Sequence, residues 1–135
     1  MLFALRRGAL LGLTALLVLA LAACGGTPAP VPGGGATATV TNGEVAVIAD
    51  DLDFDVDTIQ APAGEAFVIR LTNNENVPHN LSVYTEQGGE RIALGQIINE
   101  GEVDEIEVPA LEPGEYFFVC DLHVNEMQGT LVVEG

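Results

Sequence analysis

The chain has 135 residues, of which 48% are hydrophobic, so it can bury the core of one modest domain but not of two. It carries 20 acidic residues against four basic ones, a formal net charge of −16 at pH 7. We expect so acidic a chain to bind neither nucleic acid nor an anionic membrane surface, and to favour a cationic partner. The same charge would also serve solubility, and the sequence leaves both interpretations open.

The amino terminus has the features of a secretory signal. Two arginines, at positions 6 and 7, precede an apolar run over residues 9–23 that is short for a membrane-spanning helix. The run ends in LAAC, and small residues before a cysteine resemble a bacterial lipobox. We therefore expect residues 1–23 to be a lipoprotein signal peptide and Cys24 to be lipidated, which would anchor the chain to a membrane. An uncleaved anchor helix or an ordinary signal peptide is the alternative.

Residues 24–42 follow this signal and differ from it in composition. After Cys24 they are mostly Gly, Pro, Ala and Thr, without charge or apolar periodicity, which predicts a flexible linker. A coil of this length spans about 25 Å on average, enough to separate a domain at residues 43–135 from a membrane. The expected location is extracytoplasmic, in the bacterial cell envelope or periplasm, on a lipid anchor.

From residue 44 onward, short segments rich in β-branched and aromatic residues alternate with turn signals. No segment shows a helical stripe of useful length. The predicted strands are EVAVIAD, DFDVDTIQ, AFVIRLTN, HNLSVYTE, RIALGQII, VDEIEVPAL, EYFFVCD and GTLVVEG. Strands at this spacing predict an all-β antiparallel sandwich or barrel. The candidate core residues are Phe67, Leu81, Val83, Phe118, Leu131 and Val133.

One predicted strand has an unusual row of acids at Asp51, Asp53, Asp55 and Asp57, which alternate with Leu52, Phe54 and Val56. Period two would place the acids on one face and the apolar residues on the other. A calcium loop of the EF-hand type needs Gly at its sixth position and Glu at its twelfth, where this chain has Val and Pro. The pattern therefore favours the solvated face of an edge strand.

The residues with metal-binding chemistry are concentrated near the carboxyl terminus. Cys120, His123 and Met127 lie within eight residues, and apart from Met1 and Cys24 the chain has no other methionine or cysteine. The other histidine, His79, stands at the start of a predicted strand. Thiolate, imidazole and thioether are the ligands that copper prefers. A sandwich that joined these strand ends would form a blue-copper electron-transfer site.

Two motifs carry a resemblance to a known family: PHN at residues 78–80 and Cys-x-x-His-x-x-x-Met-x-Gly from Cys120. With them, the segment from residue 44 to the end resembles the small blue-copper proteins, the cupredoxins of the plastocyanin and amicyanin type. The resemblance implies a cupredoxin-like Greek-key β-sandwich of about eight strands with one type 1 copper ion. It also implies a monomeric electron carrier, not an enzyme, that cycles between Cu(I) and Cu(II).

The resemblance also assigns roles to individual residues. His79, Cys120 and His123 would be the in-plane copper ligands, and Met127 the weak axial one. Asn80 matches the family's asparagine that ties the loop of the first histidine to the cysteine loop. His123 would be the exposed edge through which redox proteins exchange electrons.

The chain departs from the family pattern in its ligand loop. Three residues separate His123 from Met127, a spacing between those of amicyanin and plastocyanin. Val119 stands where plastocyanins have an aromatic residue that marks a remote docking patch. Asp121 and Glu126 would favour Cu(II) and lower the reduction potential if they are buried, and would matter little if they are solvated.

Other functions use similar residues. A copper carrier or delivery protein of the cell envelope is the main alternative, although carriers tend to expose clusters of Met and His. A zinc site is disfavoured because Met is a poor zinc ligand, and a copper enzyme would need further histidines. A metal-free binding module is the last alternative. The expected partners are redox proteins with a cationic docking surface, whose identity the sequence leaves open.

Overall fold

A computed structural model describes residues 35–135, so the predicted signal peptide and Cys24 lie outside the described residues. Within that range the chain forms ten strands and no helix, and hence no helix long and apolar enough to cross a membrane. The strands are β1 (Thr37–Thr39), β2 (Glu44–Asp50), β3 (Asp53–Phe54), β4 (Thr58–Pro62), β5 (Phe67–Asn73), β6 (Ser82–Tyr84), β7 (Arg91–Ala93), β8 (Val103–Val108), β9 (Gly114–Val119) and β10 (Gln128–Glu134).

The strands are arranged in two sheets that form a sandwich. One sheet has the order β1-β4-β10-β9-β6-β7 and the other the order β3-β2-β5-β8. The chain crosses repeatedly between the sheets, so many neighbouring strands are distant in sequence. Three pairs are parallel, namely β1 with β4, β4 with β10 and β2 with β5, and the other pairs are antiparallel. The predicted all-β sandwich is confirmed, with ten strands where about eight were expected and with three parallel pairs where an antiparallel arrangement was expected.

The core lies between the sheets and follows the period of two in the sequence. In β2, for example, Val45, Val47 and Ala49 are buried while the residues between them face outward or are partly covered. All six predicted core residues are buried. The rings of Phe54 and Phe118 join the two sheets, with centroids 5.7 Å apart. Burial of each such large side chain stabilises the fold by roughly 1.5–3 kcal/mol.

The acidic segment does not form one continuous strand. Asp51 and Leu52 have φ values of 55° and 58°, so the chain turns there before β3. This turn breaks the alternation, and Leu52 is 42% exposed although the pattern placed it with the buried residues. Phe54 and Val56 are buried, as predicted. Among residues 35–135 the acids of this segment form no cluster that could hold a metal ion.

Two other segments differ from the predicted strands. β1 lies within the stretch assigned to the linker, because its backbone pairs with β4 even though its side chains are small. In RIALGQII only the first three residues are strand, and Ile98 then pairs with His79 as an isolated bridge. Gly95 interrupts this strand where the chain passes directly over the main chain of Leu81, and a Cβ atom there would overlap the Leu81 carbonyl oxygen.

Candidate metal centre

Three of the predicted ligands meet at one end of the sandwich. One donor atom from each of His79, Cys120 and His123 can be chosen so that all lie within 4.8 Å of one another. Cys120 Sγ is 3.9 Å from His79 Nδ1 and 3.6 Å from His123 Nδ1. The two imidazole rings are tilted by 58°, with centroids 4.9 Å apart. Within the described residues this is the one group of such side chains that could hold a metal ion.

The ligand loop, residues 120–127, joins β9 to β10 and positions Cys120, His123 and Met127. The Cys120 N–H donates to the Met127 carbonyl at 2.9 Å, which closes the base of the loop. Within it, the His123 carbonyl accepts from the Met127 N–H at 3.0 Å, and the His123 N–H donates to the Cys120 carbonyl at 3.1 Å. Because Phe118 and Cys120 are two residues apart, both face the core, and both are fully buried.

Met127 is the predicted axial ligand. Its side chain is fully buried and belongs to the same core cluster as Cys120. The thioether is therefore enclosed within the protein at the base of the ligand loop. Its assignment as a ligand rests on the sequence motif together with this burial.

His79 reaches the site from the opposite side, on the loop between β5 and β6. Its main chain pairs with Ile98 through two hydrogen bonds, of 3.1 and 2.8 Å. Its Nε2 lies 2.8 Å from a carboxylate oxygen of Glu75. An imidazole that donates its Nε2 proton to a carboxylate keeps the lone pair on Nδ1, the nitrogen that faces Cys120.

Glu75 is a site residue that sequence reasoning missed. The same carboxylate oxygen that meets His79 also accepts the Leu52 N–H at 2.8 Å. The hydrogen bond from Leu52, with a further contribution from His79, holds the pKa of the Glu75 carboxyl below its usual value despite partial burial. The sequence did place Glu75 four residues before His79. In a loop whose conformation the sequence does not predict, this spacing does not show whether the two side chains meet.

Asn80, the predicted partner of the cysteine loop, is buried and makes hydrogen bonds to Asp121. Its Oδ1 accepts the Asp121 N–H at 2.8 Å, and its Nδ2 donates to the Asp121 carboxylate at 2.7 Å. The same Nδ2 is 3.3 Å from the Gly95 carbonyl oxygen. Asn80, the residue after His79, is therefore bonded to Asp121, the residue after Cys120.

Asp121 collects two further donors. Its carboxylate accepts the hydroxyls of Ser82 and Tyr84, each at 2.6 Å. Partial burial raises the pKa of the Asp121 carboxyl, but the hydrogen bonds from Ser82, Tyr84 and Asn80 outweigh it, so the pKa lies below its usual value. The ionised carboxylate in turn raises the pKa of the Tyr84 phenol.

The donor set fits copper. Nitrogen from two imidazoles, sulfur from a thiolate and a buried thioether make up the ligand pattern of a type 1 copper site. A structural zinc site would use a fourth nitrogen, thiolate or carboxylate ligand. The nearby carboxylate of Glu75 contacts Nε2 of His79, on the side of the ring away from Cys120. The donor set is therefore that of a type 1 copper site, and Glu75 is not placed as the fourth ligand of a structural zinc site.

Comparison with solved structures shows the same fold. Auracyanin from Roseiflexus castenholzii has a TM-score of 0.63 at 18% identity, covering 71% of this chain and 100% of that one. Auracyanin A from Chloroflexus aurantiacus, a blue copper protein, has a TM-score of 0.60 at 23% identity, covering 73% and 100%. A reduced single-residue mutant of amicyanin has a TM-score of 0.53 at 23% identity, covering 70% and 86%.

The sequence comparisons place the chain in a family. No curated protein sequence matches it. The model of the cupredoxin-like domain, however, matches residues 13–133, which is most of the chain. The chain therefore belongs to the cupredoxin-like family.

Proposed function

We propose that this protein is a type 1 copper protein that carries single electrons between redox partners outside the cytoplasm. The observation that supports it best is the convergence of His79, Cys120 and His123 at one end of the sandwich. The fold shared with auracyanin A, described as a blue copper protein, agrees with it. Bound copper would supply the one-electron couple between Cu(I) and Cu(II).

The residues around the ligands would keep the site in one geometry. Cu(I) prefers soft sulfur, and Cu(II) prefers nitrogen in a tetragonal field, so a fixed intermediate arrangement lets an electron transfer with little rearrangement. Glu75 fixes the ring of His79, and Asn80 fixes the main chain next to Cys120. Because these contacts hold groups that would bind or flank the metal, they would limit how far the site rearranges between the two oxidation states.

Electrons would enter and leave through His123. It is half-buried, whereas His79, Cys120 and Met127 are fully buried. The described residues include six large hydrophobic side chains that are exposed: Leu52, Leu94, Ile97, Val103, Leu122 and Val124. Leu122 and Val124 flank His123 in the ligand loop, and Leu94 and Ile97 line one cavity together with Leu122. We call Leu94, Ile97, Leu122 and Val124 the apolar patch. Such a patch beside the exposed ligand suits a docking surface for partners.

The proposed partner is a redox protein whose docking surface is apolar at its centre and cationic around it. The described residues contain two arginines and 20 acidic residues, which gives 2 − 20 = −18. Arg70 pairs with Glu105, so little positive charge remains on the surface. Charge of this size attracts cationic partners at low salt.

Copper delivery is the second candidate, and the burial of the ligands argues against it. A carrier must release its metal to a partner, which is easier when several ligands are exposed. Here only the His123 imidazole is partly accessible among the three clustered ligands. The closed site therefore favours electron transfer.

The lipid anchor remains part of the proposal. Cys24 lies outside the described residues, and its lipidation rests on the LAAC motif. We expect labelled palmitate to be incorporated into the chain in a bacterial host and to be lost in Cys24→Ser. Retention of the label in that variant would refute the anchor without affecting the copper site.

The electron-transfer proposal is tested by the visible absorption of the purified protein as equimolar Cu(II) is added. We expect an intense blue or green thiolate-to-copper band that ascorbate bleaches and an oxidant restores. Cys120→Ser should abolish the band, whereas Cys24→Ser, which removes the chain's other thiol, should retain it. A pale solution, with copper merely reduced or loosely bound, would refute electron transfer and favour delivery or a metal-free module.

A further inference from the structure

Asn73 is a buried polar residue that the proposed site does not yet use. The described residues contain four buried polar side chains, and the other three are at the metal centre: His79 is a ligand, and Asn80 and Ser82 bind Asp121. Asn73 is the last residue of β5 and is fully buried. Since burial of an amide is unfavourable unless it is hydrogen-bonded, its partners indicate its role.

The Asn73 side chain joins the two loops that surround His79. Its Nδ2 donates to the Val77 carbonyl at 2.7 Å and to the Ile98 carbonyl at 3.1 Å. Its Oδ1 accepts the Glu75 N–H at 2.9 Å. The Asn73 amide thereby holds both the segment just before His79 and the segment around Ile98, which pairs with His79.

Two of these three partners also bind His79 directly. The Ile98 carbonyl that accepts from Asn73 also accepts the His79 N–H at 3.1 Å. Glu75, whose N–H is held by Asn73, binds His79 Nε2 through its carboxylate at 2.8 Å. Asn73 is therefore connected to the His79 main chain through Ile98 and to the His79 ring through Glu75.

We infer that Asn73 is a positioning residue for the copper centre: by fixing Glu75 and Ile98, it sets the place and ring orientation of His79. This inference rests on the proposed function for its effect on copper, but not for its effect on His79. The role requires two N–H donors and one acceptor on one short, rigid side chain, a combination that asparagine provides. Aspartate has the same shape but no donor, and serine is too short to reach both carbonyls.

The test compares Asn73→Ser with Asn99→Ser. Asn99 is a matched control because it lies on the same loop as Ile98, but its exposed amide binds only Glu102. We expect Asn73→Ser to weaken Cu(II) binding about 10- to 100-fold, the usual effect of losing a residue that orients a ligand. It should also change the reduction potential, whereas Asn99→Ser should leave both quantities unchanged. If Asn73→Ser does not fold, Asn73→Thr replaces it, because its larger neutral side chain leaves less empty space and buries no charge.

A second measurement does not depend on copper. In the metal-free protein, the NMR signals of the His79 ring should shift in the Asn73 variant and should stay unchanged in Asn99→Ser. A folded variant with unchanged His79 signals and unchanged copper affinity would overturn the inference and leave Asn73 a purely structural residue. If the unaltered protein forms no blue site, the proposed function fails, but the ring signals still decide whether Asn73 positions His79.

Discussion

At the scale of single residues, the carboxylate of Asp121 shows how neighbours of the ligands define the site. The carboxylate accepts hydrogen bonds from Asn80, Ser82 and Tyr84, and the main-chain N–H of Asp121 donates a fourth to Asn80. The sequence placed Asp121 in the ligand loop but left open whether it is buried. The structure makes it a bonded, ionised group next to Cys120, which connects β6 to the end of β9.

The titration of Tyr84 tests this network. The Asp121 carboxylate raises the pKa of the Tyr84 phenol, so its phenolate should form only above the usual value of about 10. The stabilising hydrogen bond requires the neutral phenol. Its contribution is thus complete below pH about 10 and is lost as the pH rises through the raised pKa. The measurement is the ultraviolet absorbance of the phenolate in Tyr116→Phe, which leaves Tyr84 as the only tyrosine.

Asp121→Asn in the same background provides the comparison. Without the negative charge, the pKa of Tyr84 should fall back towards its usual value. Equal titration midpoints with and without the Asp121 charge would show that the hydrogen bond of 2.6 Å does not persist in solution.

At the scale of elements, the site depends on loops that enter at strand ends. The strand segments could be predicted because alternation and turn residues are local signals. The segment after β7 could not, because its Ile98 pairs with His79 through contacts distant in sequence. Gly95 permits this path because, without a side chain, it can cross the main chain of Leu81 closely. The Gly95 carbonyl oxygen also accepts a hydrogen bond from the Asn80 side chain.

Gly95→Ala should therefore destabilise the protein. The added methyl group would overlap the Leu81 carbonyl oxygen, and overpacking of this kind costs about 1–3 kcal/mol. Chemical denaturation of the metal-free protein measures the loss. Gly114→Ala is the control, since its added methyl would lie 3.8 Å from the nearest atom, an ordinary contact. Equal stability of the two variants would mean that the close crossing at Gly95 is not required.

At the scale of the whole molecule, charge and apolar surface are distributed unequally. Acidic residues are spread over the described domain, whereas the apolar patch is confined to the end that carries the ligands. Charge would bring a cationic partner near the protein, and the patch would determine where it docks. The two features therefore act at different stages of association.

Electron exchange should depend on salt in a direction set by the charge of the partner. With a cationic metal complex as electron acceptor, the rate should fall about tenfold or more as ionic strength rises from about 0.01 M to about 1 M. With an anionic complex it should rise. Stopped-flow measurements on the copper-loaded protein would show this.

Charge-neutralising variants locate the effect. Glu126→Gln, in the ligand loop, should weaken the salt dependence more than Glu134→Gln, at the distant end of β10. If the two variants behave alike, the acidic surface would serve solubility and not docking.

The sequence by itself determined the all-β class, the six core residues and the four candidate ligands, because these depend on side-chain chemistry and local periodicity. It did not reveal Glu75, Asn73 or the pairing of His79 with Ile98. Their roles depend on how two loops approach each other across the end of a sandwich. Only the tertiary structure decides that approach, because the hydrogen bonds that fix it join residues whose separation in sequence carries no local signal.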